Sequence, residues 1–185
     1  MQASSKKWLS FSLSALALTA LAQAPSIAKD ETIIGSGATA SKLDIVNELK
    51  RRGSFHKTLD GLSIAYNMDN QLKGRGPFTF FAPDDKAWGK MPGEDQTSLF
   101  GNPKRVSEVL SYHVLKGQRL NSDAIAMQKT LQPMDLKHKI TVSSKDENGK
   151  KALYVDKARI KEADIQCSNG VIHIVDQPIM PILAE

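Results

Sequence analysis

Asn169-Gly170-Val171-Ile172-His173-Ile174-Val175-Asp176-Gln177-Pro178-Ile179-Met180-Pro181 reads as a tight turn, an apolar strand holding one histidine, and an exit punctuated by proline. Asn-Gly predicts the positive backbone dihedrals of a tight turn. Residues 171–175 are β-branched apart from His173, which suits a strand covered on both faces. A polar ring inside such a strand must find a hydrogen-bond partner or serve a site.

Working outward, the last third of the chain is rich in strands. Residues 140–142 and 153–155 flank Asp146 to Lys150, whose Asn148-Gly149 is a hairpin signal. Residues 158–167 continue as strand, and their apolar phase changes between Ile160 and Ala163, which predicts a bulge near Glu162. Upstream, Pro77 to Pro83 reads as a short buried strand, and Asp84 as the N-cap of a short helix holding Ala87 and Trp88. Ser41 is expected to cap a helix over 42–52 that Gly53 ends, and a second helix follows Ser54. Residues 67–76 read as a polar, Gly-rich turn, and 96–100 as one more helical turn. Pro103 opens a helix to about Tyr112, Val114 and Leu115 look extended, and Asn121-Ser122 caps a short helix. Helices early and strands late, at hairpin spacing, predict an α+β domain with a largely antiparallel sheet.

The first 28 residues have the pattern of a secretory signal peptide: Lys6 and Lys7, a charge-free apolar run over 8–21, then small residues. Cleavage is expected after Ala28, with Ala24 as the other option. Removing this segment leaves 157 residues, enough for one domain with its own core. The two lysines lost with it bring the formal charge from +5 to +3. With no arginine-rich face interleaved with aromatics, nucleic acid is not expected as a partner. No later stretch of the mature chain is apolar enough to span a bilayer. The lone Cys167 cannot form an internal disulfide, and it reads as a small buried hydrophobe.

Three segments now stand in order: Thr79-Phe80-Phe81-Ala82-Pro83-Asp84 with Trp88 behind it, then Tyr112-His113-Val114-Leu115, then Asn169 to Pro181. Together they resemble the blocks of the fasciclin-like (FAS1) domain, in a single-domain, exported bacterial form. Thr79, Phe81 and Pro83 match the first block, and Asp84 stands where that block commonly has Thr, either residue serving as a helix cap. Tyr112 and His113 match the tyrosine-histidine motif. Asn169, Gly170, His173 and Asp176 match the second block. The resemblance covers residues 38–183, with 29–37 as a loose lead-in. It implies a twisted β-wedge of about seven mostly antiparallel strands with packed helices. It also implies adhesion or extracellular binding without catalysis, to a cell-surface, matrix or envelope macromolecule, protein or polysaccharide. In some relatives the tyrosine-histidine region is implicated in receptor binding, which makes Tyr112 and His113 the binding residues the resemblance implies.

The chemistry-bearing residues carry blander readings. His113 and His173 lack the short-spaced His or Cys partners of a zinc site, so no metal is expected and both rings are expected to bond backbone groups in the core. There is no Gly-x-Ser-x-Gly elbow, and no catalytic residue or cofactor is expected. Asp84-Asp85 reads as a cap and a dipole partner. Gly35-x-Gly37 lacks the third glycine of a nucleotide loop. Lys50-Arg51-Arg52 reads as a solvated helix end, and Phe55, Tyr66 and Trp88 as core aromatics. The rival reading is a periplasmic small-ligand-binding or stress-related protein with a pocket between helices and sheet.

Overall fold

The computed structural model describes residues 43–181 except Asn148. The expected signal peptide and lead-in lie outside these residues. Helix α1 (Ile45–Arg52) starts where Asp44 accepts the Asn47 N–H at 2.9 Å, and it ends at Gly53, whose φ of 69° suits glycine. The cap is therefore Asp44 and not Ser41. Helices α2 (His56–Ile64) and α3 (Met68–Lys73) follow. The polar stretch read as a turn is thus largely helix α3, seated by buried Met68 and Leu72. Strand β1 (Phe78–Pro83) leads into α4 (Asp85–Trp88), α5 (Gly93–Phe100) and α6 (Pro103–Tyr112). Asp84 caps α4 through the Ala87 N–H at 2.7 Å. The chain continues through β2 (Val114–Lys116), α7 (Ser122–Ala126), β3 (Thr130–Leu131), β4 (Ile140–Glu147), β5 (Lys150–Val155), β6 (Ala158–Cys167) and β7 (Gly170–Val175).

The seven strands form one curled, wedge-like sheet in the order β2-β1-β7-β6-β5-β4-β3. Every pairing is antiparallel except β1 with β7, which run parallel from Phe78↔Gly170 to Pro83↔Val175. This central pair explains the unbroken apolar runs. Phe80 and Ile172 enter a core shared with α1, α2, α6 and Trp88, while Phe81 and Val175 enter a second core with Leu115, Ile125, Ile140 and Val155. Both faces of β1 and β7 are consequently dry. The bulge expected near Glu162 is present: the β6–β7 register shifts on either side of it, and Asp164 adopts a φ of 64°.

The turn before β7 differs from expectation. Neither Asn169 nor Gly170 has a positive φ. Asn169 acts instead through its side chain. Its Oδ1 accepts the Ile45 N–H at 3.0 Å, and its Nδ2 donates to the carbonyls of Leu72 (2.6 Å) and Gly74 (3.0 Å). One amide thus joins the start of α1, the end of α3 and the β6–β7 turn. Gly170 is needed for close approach, since a Cβ there would lie 2.3 Å from the Phe78 carbonyl oxygen and 2.9 Å from Ile45 Cδ1.

Two further readings are corrected. Tyr66, expected in the core, is 67% exposed, because α2 ends at Ile64 before reaching it. The basic triplet at the end of α1 is not simply solvated. Arg51 holds buried Glu48 through two bonds of 3.0 and 2.5 Å, and Arg52 bridges Glu48 (3.1 Å) to Glu162 (2.9 Å).

Candidate functional site

The motif residues are consumed in holding the fold. The Thr79 hydroxyl donates to the Gln118 carbonyl and accepts the Leu120 N–H, both at 2.9 Å. Asp84 receives Lys161 on its second oxygen. Asp176 accepts the Arg159 N–H at 2.8 Å and Lys90 Nζ at 2.9 Å. Partial burial pushes the Asp176 carboxyl up, but these donors outweigh it and hold the group below the usual range. Phe81 stacks obliquely on His173 at 5.7 Å. The Pro83 carbonyl accepts the buried Thr58 hydroxyl at 2.6 Å, and that hydroxyl in turn accepts Trp88 Nε1–H at 2.9 Å.

Both histidines of the motifs are fully buried. His113 Nδ1–H donates to the Val109 carbonyl at 2.7 Å, and Nε2 accepts the Ile179 N–H at 2.9 Å. It ties the end of α6 to the tail that leaves β7. His173 Nε2–H donates to the Leu120 carbonyl at 2.9 Å, and Nδ1 accepts the Asp164 N–H at 3.3 Å. It ties β7 to the bulge of β6 and to the loop before α7. Burial pushes both rings down in pKa, His113 to about 4, so both are neutral at pH 7. Neither ring has a nitrogen left for a ligand. Among the described residues, no three His, Cys, Asp or Glu side chains gather as a metal site would require.

Tyr112 is also buried, but it forms the floor of a cleft of about 740 Å³. Its hydroxyl donates to the Asp156 carboxylate at 2.8 Å, with the Lys139 carbonyl at 3.1 Å sharing the proton. Burial first, and Asp156 second, push the phenol well above its ordinary pKa. Asp156 holds a φ of 52° and also accepts the Thr141 N–H at 2.8 Å, so its charge is committed. Lys139, Lys157 and partly exposed Met180 form the rim above buried Ile179, and neither lysine has an ion pair among the described residues. His138 stands edge-on to Tyr112 at 5.9 Å and is held by Asp135 at 2.6 Å. The loop these two residues close presents Leu136, 78% exposed at a φ of 59°. The sequence reading found Tyr112 but missed Asp156, His138 and Leu136. Their assembly depends on pairing between β4, β5 and the loop after β3, which local patterns do not encode.

The polar groups of the motif blocks serve the framework, and the open chemistry of the domain lies on loops and rims. The fasciclin domain family model matches residues 53–181, and the chain belongs to this family. It is 32% identical over 151 residues to protein sll1483 of Synechocystis sp., covering 80% of this chain and 79% of that one. It is 30% identical over 115 residues to the cell surface glycolipoprotein MPT83 of Mycobacterium tuberculosis, covering 62% of this chain and 48% of that one. A solved FAS1 domain pair from the insect cell adhesion molecule fasciclin I superposes with a TM-score of 0.65 at 18% identity, covering 75% of this chain and 51% of that one. The fold is therefore the FAS1 wedge, with its seven-stranded mixed sheet and packed helices.

Proposed function

We propose that this chain is an exported, non-enzymatic binding module of the adhesion type, which engages an envelope, matrix or cell-surface macromolecule through the cleft above Tyr112. The observation that carries this reading is the commitment of both buried histidines to main-chain partners, which leaves no group of the motif blocks poised for acid–base or nucleophilic work. The cleft supplies what a partner needs: an apolar wall at Ile179 and Met180, and unpaired charge at Lys139 and Lys157. Tyr112 and His113 act from beneath, Tyr112 by fixing Lys139 and Asp156, His113 by fixing Ile179. The cell-surface name of the mycobacterial relative and the cell-adhesion name of the insect structure agree with this role. Export follows from the signal pattern of residues 1–28.

The test is binding of the purified protein to envelope and matrix preparations, with Lys139→Glu and Lys157→Glu as surface variants. Retention that falls in both variants while thermal unfolding is unchanged supports the reading. Retention no greater than that of an unrelated protein of equal charge overturns it. N-terminal sequencing of protein recovered from culture checks cleavage after Ala28.

A further inference from the structure

At the opposite end of β7 from the Tyr112 cleft, a second concavity of about 610 Å³ opens between the start of α1, the segment after α3 and the β6–β7 turn. Asp44, Asn47, Lys73, Arg75, Arg119 and Asn169 are among the residues that line it. Its charge balance is one-sided. The Asp44 carboxylate is occupied on both oxygens by Asn47, at 2.9 Å to the N–H and 2.7 Å to Nδ2. Lys73 pairs with Asp69 at 2.9 Å. Arg75 and Arg119 have no carboxylate partner among the described residues. Arg119 is nonetheless held in place: its Nη2 donates to the carbonyls of Cys167 (2.7 Å) and Ser168 (3.3 Å), which fixes the guanidinium while its other nitrogens have no partner among the described residues. Exposed Lys116 lies on the edge strand beside this wall, where the Gly117 N–H donates to the Pro77 carbonyl at 2.8 Å.

The other lining groups are polar and have capacity left. The Ser168 hydroxyl and the Asn47 side-chain carbonyl have no partner among the described residues. Among the described residues, no aromatic side chain lines the groove, and no apolar side chain beyond Leu43 and Pro77 does. Two guanidinium groups matched to planar or tetrahedral anions, with hydroxyl and amide groups in the same lining, suit a ligand carrying acidic groups on a hydroxyl-rich chain. A peptide would want apolar anchors that this groove does not offer. We propose that this groove binds an acidic polysaccharide, with Arg75 and Arg119 receiving its carboxylate or sulfate groups. The site is separate from the Tyr112 cleft: the five residue steps of β7 between them span about 16 Å.

The test is calorimetric titration of the full chain with an oligogalacturonate, a heparin-derived oligosaccharide and a neutral dextran of equal length. The expected result is saturable, salt-sensitive binding of one or both acidic glycans and none of dextran. Arg75→Glu, at an exposed position without side-chain bonds among the described residues, is expected to weaken that binding by about tenfold or more with unchanged thermal unfolding. Arg119→Lys keeps the charge and loses the fork, and should weaken it less. Lys150→Glu, in the β4–β5 hairpin, should leave it intact. Equal losses from Arg75→Glu and Lys150→Glu would mean diffuse charge attraction and overturn the proposal. Binding of phosphatidylglycerol vesicles without binding of either acidic glycan would also overturn it. Failure of the Tyr112 cleft to retain envelope material has no bearing on this outcome, because Arg75 and Arg119 report on this groove alone, and Lys139 and Lys157 on the cleft.

Discussion

His113 and His173 carry their single proton on opposite ring nitrogens. A backbone carbonyl faces Nδ1 of His113 and Nε2 of His173, and a backbone N–H faces the remaining nitrogen of each. Each ring is a neutral two-ended strut, one between α6 and the tail after β7, the other between the β6 bulge and the loop before α7. A second proton on either ring would face an N–H instead of an acceptor.

The pH dependence of stability follows. An unfolded histidine titrates near 6.5, while burial holds folded His113 at about 4. Between those values the unfolded chain binds the extra proton and the folded chain does not. Stability is therefore complete above about pH 6.5, falls as pH drops toward about 4, and loses no more from this group below that. For His113 the loss approaches roughly 3 kcal/mol, and His173, also shifted down, adds to it in the same direction. Urea unfolding at pH 7.5, 5.5 and 4.5 measures it, and a midpoint that does not move across that range contradicts the account.

His173→Ala is expected to cost about 1–3 kcal/mol, because the Leu120 carbonyl and the Asp164 N–H lose their partner inside the core. Thermal unfolding of the variant reports it. Unchanged unfolding combined with lost partner binding would instead make the ring part of a recognition surface.

Asn169→Asp keeps the shape of the side chain but turns its two donated bonds into oxygen facing the Leu72 and Gly74 carbonyls. The expected loss exceeds about 2 kcal/mol. Gly170→Ala should be worse, since its Cβ would press on backbone. Soluble yield and the denaturation midpoint, compared with a Ser168→Ala control, rank the three.

Cys167 is buried and, mainly through desolvation with a further push from Glu48, its thiol is raised to about 12. Native protein should leave an aromatic disulfide reagent unreacted over hours at pH 8, and denatured protein should react at once with one equivalent. Fast labelling of the native form, or a disulfide-linked dimer on a non-reducing gel, would refute this.

Where the sequence was legible, the signal was local. Asp84 and Asn121 mark helix starts through bonds spanning three residues, Pro103 marks one by its fixed φ at the first helical position, and the apolar phase change at Ile160–Ala163 located the bulge. Asn169 was misread because its partners lie as far as 124 positions away, while the dipeptide it begins has a familiar local meaning. Helix α3 was missed because only Met68 and Leu72 among its six residues face the core. The histidine struts were expected to meet backbone, but which backbone groups they meet follows from the tertiary fold. Arg119 gave no signal at all, because its role depends on two carbonyls nearly fifty residues downstream.

The clip at Asn169 and the strut at His113 also set how the domain bears load. Asn169 fastens the start of α1 to one end of β7, and His113 fastens the tail leaving its other end. A pull on the two flanks of the domain therefore draws along the length of β7. Its ladders to β1 and β6 are strained together in shear and not opened one bond at a time like a zip. The strand that holds the core is thus also the tension member of the domain.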